Sequence, residues 1–158
     1  MNTTYMDREL PEELRQVAWT HFQEALPIII RDVHRHALAN GWWDSKNEMI
    51  TAVEKNGWPE RLEAKALIVV AMLGLAGHEI GEAMEAARCG FPLDDKLKHR
   101  GNLEVEIADT IIRLFDLLGW LSKNQDLAYS PFLKIGEIMQ EKLEVNKLRG
   151  TRHGGKLV

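Results

Sequence analysis

One cysteine, no surplus of positive charge and no apolar run of bilayer length mark this chain of 158 residues. Each shortage excludes something. A single thiol, Cys89, cannot close an internal disulfide, so a reducing compartment, the cytoplasm, is the expected location. A zinc site built on cysteines is ruled out for the same reason. Cys89 lies between Arg88 and Gly90, near a helix end, and reads as an inert packing thiol. The 20 Lys and Arg against 24 Asp and Glu leave a net charge of −4. That lacks the basic footprint of a duplex-DNA binder, so no nucleic-acid partner is expected. The most apolar stretch, Ala66 to Gly77, is shorter than the roughly 20 residues a membrane span needs. Met1 to Leu10 is polar and acidic, without an apolar signal region, so no membrane partner is expected.

What is present fits one soluble domain over 1–158, with 45% hydrophobic residues for a core and 28% charged residues for a surface. No repeat or dividing linker interrupts it. The periodicity predicts helices throughout. Pro11 with Glu12 and Glu13 opens the first, which Pro27 should bend or restart and Asn40-Gly41 should stop. Ser45 and Glu48 resemble a capping box for a short helix ending near Gly57. Pro59 opens a long helix over about 60–87, which ends at Cys89-Gly90. A loop over 91–100, a helix over about 102–122 and a last helix over about 131–148 follow. The tail over 149–158 is basic and glycine-rich. An all-α fold with a four-helix-bundle core and extra short helices is the economical architecture.

The chemistry lies in two of these helices. The stretch 103–118 is apolar on nearly all sides, so it should be buried. Yet Glu106 and Asp109 stand three apart on one face, with Arg113 and Asp116 continuing the stripe. The long helix is almost wholly apolar from Ala66 to Gly77, then after His78 offers Glu79 and Glu82, again three apart, with Glu85 extending the row. Four carboxylates facing one another across a bundle cannot all stay ionised unaided. Hard divalent cations resolve this, and Mg²⁺ characteristically binds through carboxylates and substrate phosphate oxygens. Exposed surface ion pairs are the bland alternative for any one such pair, but less so for two pairs in unusually apolar helices. A di-iron site is excluded, because none of the histidines has Glu three residues before it.

Glu79-x-x-Glu82 followed by Glu106-x-x-Asp109, with 83–105 between them, resembles the ExxE…ExxD motif of the all-α nucleoside triphosphate pyrophosphohydrolases. That superfamily includes MazG, the dimeric dUTPases and phosphoribosyl-ATP pyrophosphatase. The word Glu79–Gly90 is similar to its "ELGEALEAxRxG", and Glu104–Asp109 to its "EELAD". Lys142, Asn146, Arg149, Arg152 and His153-Gly154-Gly155-Lys156 resemble the ending of small MazG-like proteins, many from phages, as does Gly41-Trp42-Trp43-Asp44. The similarity covers roughly 34–156. The chain departs from many members in carrying Gly77-His78 where they have serine.

The resemblance implies a helical bundle that forms a homodimer or a dimer-of-dimers tetramer. It implies Mg²⁺ or Mn²⁺ held by Glu79, Glu82, Glu106 and Asp109, and hydrolysis of a (d)NTP to the monophosphate and pyrophosphate. A purine substrate such as dGTP or GTP is expected, with dUTP, dCTP and phosphoribosyl-ATP as alternatives. A helical oligomerisation or adaptor module is the non-enzymatic alternative. Lys142, Asn146, Arg149, Arg152 and Lys156 form the expected triphosphate clamp, since arginine binds phosphate in a bidentate manner. Trp42 and Trp43 either stack on the base or anchor a core or interface. Glu85 is a further candidate to orient water, Asp116 is expected to pair with Arg113, and His34 and His36 face different ways.

Overall fold

The computed structural model describes residues 11–55, 58–124 and 134–148, with the backbone alone for 58–61. Among them the fold is all-α: α1 Glu12–Ala39, α2 Asp44–Glu54, α3 Trp58–Arg88, α4 Asn102–Leu121 and α5 Ile135–Lys147. The chain falls into two compact units, one of Met1–Ile28 with Leu133–Val158 and one of Ile29–Phe132.

Local chemistry sets most of these boundaries. Glu12 and Glu13 favour the positive end of α1. The helix runs through Pro27 without a restart. At its end the Trp42 amide donates to the Ala37 carbonyl at 3.1 Å and the Gly41 amide to Leu38 at 3.0 Å. Gly41 has φ +72°. This is a Schellman cap, in which a left-handed residue turns the chain back to satisfy the last carbonyls. α3 ends the same way, with Gly90 at φ +82° and the Phe91 amide on the Ala86 carbonyl at 2.9 Å. The capping box expected at Ser45 does not form. α2 begins at Asp44, and Trp43 precedes it with no side-chain cap. The anchoring of Trp43 in the core sets that turn instead.

The unit 29–132 holds the functional elements, and α3 against α4 is its main pairing, followed by α2 against α3. Its core gathers Ala37, Trp43, Ile50, Ile68, Met72, Leu117, Trp120 and Leu121. Trp43 and Trp120 stack with centroids 5.4 Å apart. Beneath them Asp116 is buried and accepts hydrogen bonds from Trp43 Nε1 at 2.9 Å and from His34 Nδ1 at 2.7 Å. A buried carboxylate is tolerable only when paired in this way. Asp116 therefore holds the core, and the expected pairing with Arg113 is corrected.

Gly119 makes this approach possible. A Cβ there would lie 2.4 Å from His34 Cβ and 3.2 Å from the Ile30 carbonyl oxygen. Gly119→Ala is expected to cost about 1–3 kcal/mol by overpacking, read as a lowered urea midpoint with helical content retained.

α3 and α4 are not buried on all sides, as their composition suggested. Val70, Met84 and Ile107 are 66%, 63% and 50% exposed, so apolar side chains of both helices remain open on this chain. The segment Leu62–Arg88 is also long and apolar enough to cross a membrane by length and composition, which the shorter run at 66–77 concealed. In the other unit, Gln23 Nε2 donates to Gln140 Oε1 at 2.7 Å, and Gly136 packs against Gln23 and Leu26.

Candidate metal centre

The spacing of three places Glu79 and Glu82 on one side of α3, and Glu106 and Asp109 on one side of α4. The α3–α4 pairing turns these sides toward each other. Glu79, Glu106 and Asp109 each offer a carboxylate oxygen, and the three oxygens lie within 4.8 Å of one another. Glu79 also belongs to a second such group with Glu82 and His78. His78 Nδ1 lies 3.6 Å from Glu82 Oε2. Glu79 is buried, Glu106 and Asp109 are half-buried, and Glu82 is exposed. The cluster lines an open cleft of about 710 Å³.

Concentrated negative charge leaves a mark on Glu106. Burial first, then the charges of Glu82, Glu79, Asp109 and Asp94, raise its pKa above the ordinary glutamate value. Two features offset the charge. Arg113 Nε donates to Glu79 Oε1 at 3.1 Å across the helix pair. The Asn102 amide, oriented with its nitrogen toward the acids, donates to Glu106 Oε1 at 3.2 Å and to Asp94 Oδ2 at 3.1 Å.

Asp94 is itself buried and organises the loop that closes this end of the cleft. It accepts from the backbone amides of Lys96, at 3.0 Å, and Leu97. The Asp94 amide in turn donates to the Arg100 carbonyl at 3.0 Å, and Leu93 bridges Gly101. This carries Lys96 to the wall of the cleft, which Arg113 also lines. Asn102 thus links a rigid loop to a candidate ligand. Asn102→Ala is expected to weaken Mn²⁺ binding by about 10–100-fold, the usual effect of removing an outer partner of a ligand, with Tm nearly unchanged.

The cluster takes in the four predicted acids, but the other predicted residues do not all join it. Trp43 is fully buried, stacked on Trp120 and bonded to Asp116. It has no free face for a base, which corrects its placement in a substrate site. Trp42 is half exposed, and the Arg113 guanidinium lies 5.6 Å from its ring centroid. Glu85 does not line the cleft; it pairs with Arg88 at 3.1 Å and accepts from the Cys89 thiol at 3.2 Å. Cys89 is exposed rather than packed. The hydrogen bond to Glu85, then the Glu85 charge, raises its pKa, which favours the protonated thiol. Lys142 and Asn146 are exposed on α5, in the other unit. Arg149, Arg152 and Lys156 lie outside the described residues.

Protein-family models, characterised proteins and solved structures give no match to this chain. The chemistry of the cleft therefore carries the functional argument.

Lys96 and Asn102 were not read from the sequence as cleft residues, nor was Asp94 as the residue that holds their loop. Asn102 had a weak signal, since it opens a helix that carries acids on one face. Lys96 reaches the cleft through the fold of the loop, and Arg113, already on the acidic stripe of α4, through the pairing of α3 with α4.

Proposed function

We propose that this chain is a divalent-metal-dependent nucleoside triphosphate pyrophosphohydrolase of the MazG type, built on a helical bundle and active as a homodimer or dimer of dimers. The observation that carries the reading is the meeting of Glu79, Glu106 and Asp109 oxygens within 4.8 Å, from two helices, in a cleft with cations on its wall. The exposed apolar surface of α3 and α4 supports self-association.

The donor set fits the implied metal. It consists of hard carboxylate oxygens, half-buried and mutually repelling, as Mg²⁺ or Mn²⁺ prefers. Glu79, Glu106 and Asp109 would hold the ion, with Glu82 and His78 beside them. When bound, the ion neutralises the acids and the triphosphate and polarises the phosphorus under attack.

The chain's own residues do the rest. Lys96 and Arg113 draw phosphate oxygens to the acidic cleft, and Arg113 does so while anchored to Glu79. A carboxylate of the cluster takes the proton from the attacking water. Water adds at phosphorus, the bond between the α and β phosphates breaks, and pyrophosphate leaves from the nucleoside monophosphate.

The test is a panel of common (d)NTPs and phosphoribosyl-ATP with Mg²⁺ or Mn²⁺, separating monophosphate and pyrophosphate by chromatography. Stoichiometric release of both from at least one substrate, with dGTP or GTP the first candidates, is the expected result. A non-catalytic oligomerisation module would hydrolyse none of them. Release of orthophosphate instead would place the cut at the terminal phosphate and overturn the assignment.

A further inference from the structure

His78 brings a donor of different chemistry to the acidic cleft. Among the described residues it is the only histidine on the cleft wall. It stands next to Glu79 and one turn before Glu82, so the three side chains share one patch of α3. Each offers a donor atom, and the three atoms lie within 4.8 Å of one another. His78 Nδ1 is 3.6 Å from Glu82 Oε2. That is beyond a hydrogen bond, whose nitrogen–oxygen separation ends near about 3.2 Å. It is close to what a metal needs, because ligands about 2.1 Å from a tetrahedral ion stand about 3.4 Å apart. The same spacing of four lets helices chelate zinc through two histidines.

A second pair shows what is particular here. His36 also has an acid one turn away, with Nε2 at 4.0 Å from Asp32 Oδ2. There Arg35 already holds Asp32, and among the described residues no third donor joins them. At His78 the set is completed by Glu79, which is 8% exposed and fixed by Arg113. Among the described residues no lysine or arginine pairs with Glu82, so its charge awaits a cation.

We infer that α3 carries a second cation position, made by His78, Glu79 and Glu82, and that its imidazole selects a late first-row ion, Co²⁺, Ni²⁺ or Zn²⁺, over Mg²⁺. The inference rests on the proposed metal centre and extends it, since Glu79 belongs to both groups. Mg²⁺ takes oxygen ligands in a strict octahedron and gains little from a nitrogen. Imidazole suits nickel and zinc, and affinity for such sites rises from Mn²⁺ through Co²⁺ to Ni²⁺. The cleft thus offers one position of oxygens alone, between the helices, and one with nitrogen, along α3.

Equilibrium dialysis of the full chain at pH 7.5, against Ni²⁺ or Mg²⁺ alone, tests this. His78→Ala should weaken the tightest Ni²⁺ binding at least ~10-fold, because losing even an outer partner of a ligand costs that much. Mg²⁺ binding should change less than about twofold. Glu106→Gln should do the opposite, weakening Mg²⁺ and sparing the tightest Ni²⁺ binding. Glu79→Gln should weaken both, and His36→Ala neither. His78 is exposed, so its replacement leaves the helices intact, as circular dichroism would show.

Ni²⁺ binding that is unchanged in His78→Ala would overturn the inference. So would Ni²⁺ lost equally in His78→Ala and Glu106→Gln, which would merge the two positions into one. A chain that hydrolyses no NTP, yet loses Ni²⁺ with His78 alone, would keep this position and sink the hydrolase. NTP hydrolysis with Ni²⁺ binding indifferent to His78 would do the reverse.

Discussion

Glu106→Gln is expected to reduce NTP hydrolysis at least ~100-fold while leaving the helical circular dichroism intact. Losing an outer partner of a metal ligand already costs about 10–100-fold, and this change removes a ligand charge at the centre of the cluster. The same variant should be more stable than the native chain without metal. Glu106 has a raised pKa in the fold, so ionising it at neutral pH works against folding. Below the ordinary glutamate value of about 4.3, both folded and unfolded chains carry the proton and the penalty is absent. As pH rises through the raised folded value the penalty develops fully. Glu106→Gln should therefore raise Tm in EDTA near pH 7.5, and the gain should fade near pH 4. An active variant would remove Glu106 from the metal site; a variant less stable at pH 7.5 would contradict the electrostatic picture.

Trp43→Ala should cost about 3–5 kcal/mol, lowering Tm by roughly 10 °C. The ring is fully buried, stacks on Trp120 and donates to Asp116. Its loss opens a cavity and leaves a buried carboxylate with one donor fewer. Trp42→Ala, one residue away on a half-exposed side chain, should move Tm little. Trp43→Phe keeps most of the packing but not the Nε1 donor, so its Tm should fall between the two. Thermal melts followed by circular dichroism decide this. Equal Tm values for Trp42→Ala and Trp43→Ala would contradict the assignment of one to the core and the other to the surface.

The acids were legible because the helix imposes a face. Once 58–88 and 102–121 are helical, Glu79 with Glu82 and Glu106 with Asp109 must share sides, and apolar surroundings give a reason for those sides to meet. The adjacent tryptophans show where that logic ends. Trp42 and Trp43 look alike in sequence, and the Schellman turn at Gly41 together with a partner 73 positions away decides which is buried. Asp116 was misread on the same ground, since its neighbour along the helix face is Arg113 but its partners come from α1 and the turn before α2. Lys96 reaches the cleft because the loop folds back through the Leu93–Gly101 bridge, a pairing that no local periodicity records. Pro27 shows a local rule overridden, the helix continuing past a residue that usually interrupts one.

Titration of the full chain with Mn²⁺, following the free ion by electron paramagnetic resonance, bears most directly on the account. Saturable binding in the native chain, strongly weakened in Glu106→Gln and in Asp109→Asn, is the predicted result. A native chain that leaves the free-Mn²⁺ signal as strong as buffer does, at ion concentrations where carboxylate sites fill, would contradict it.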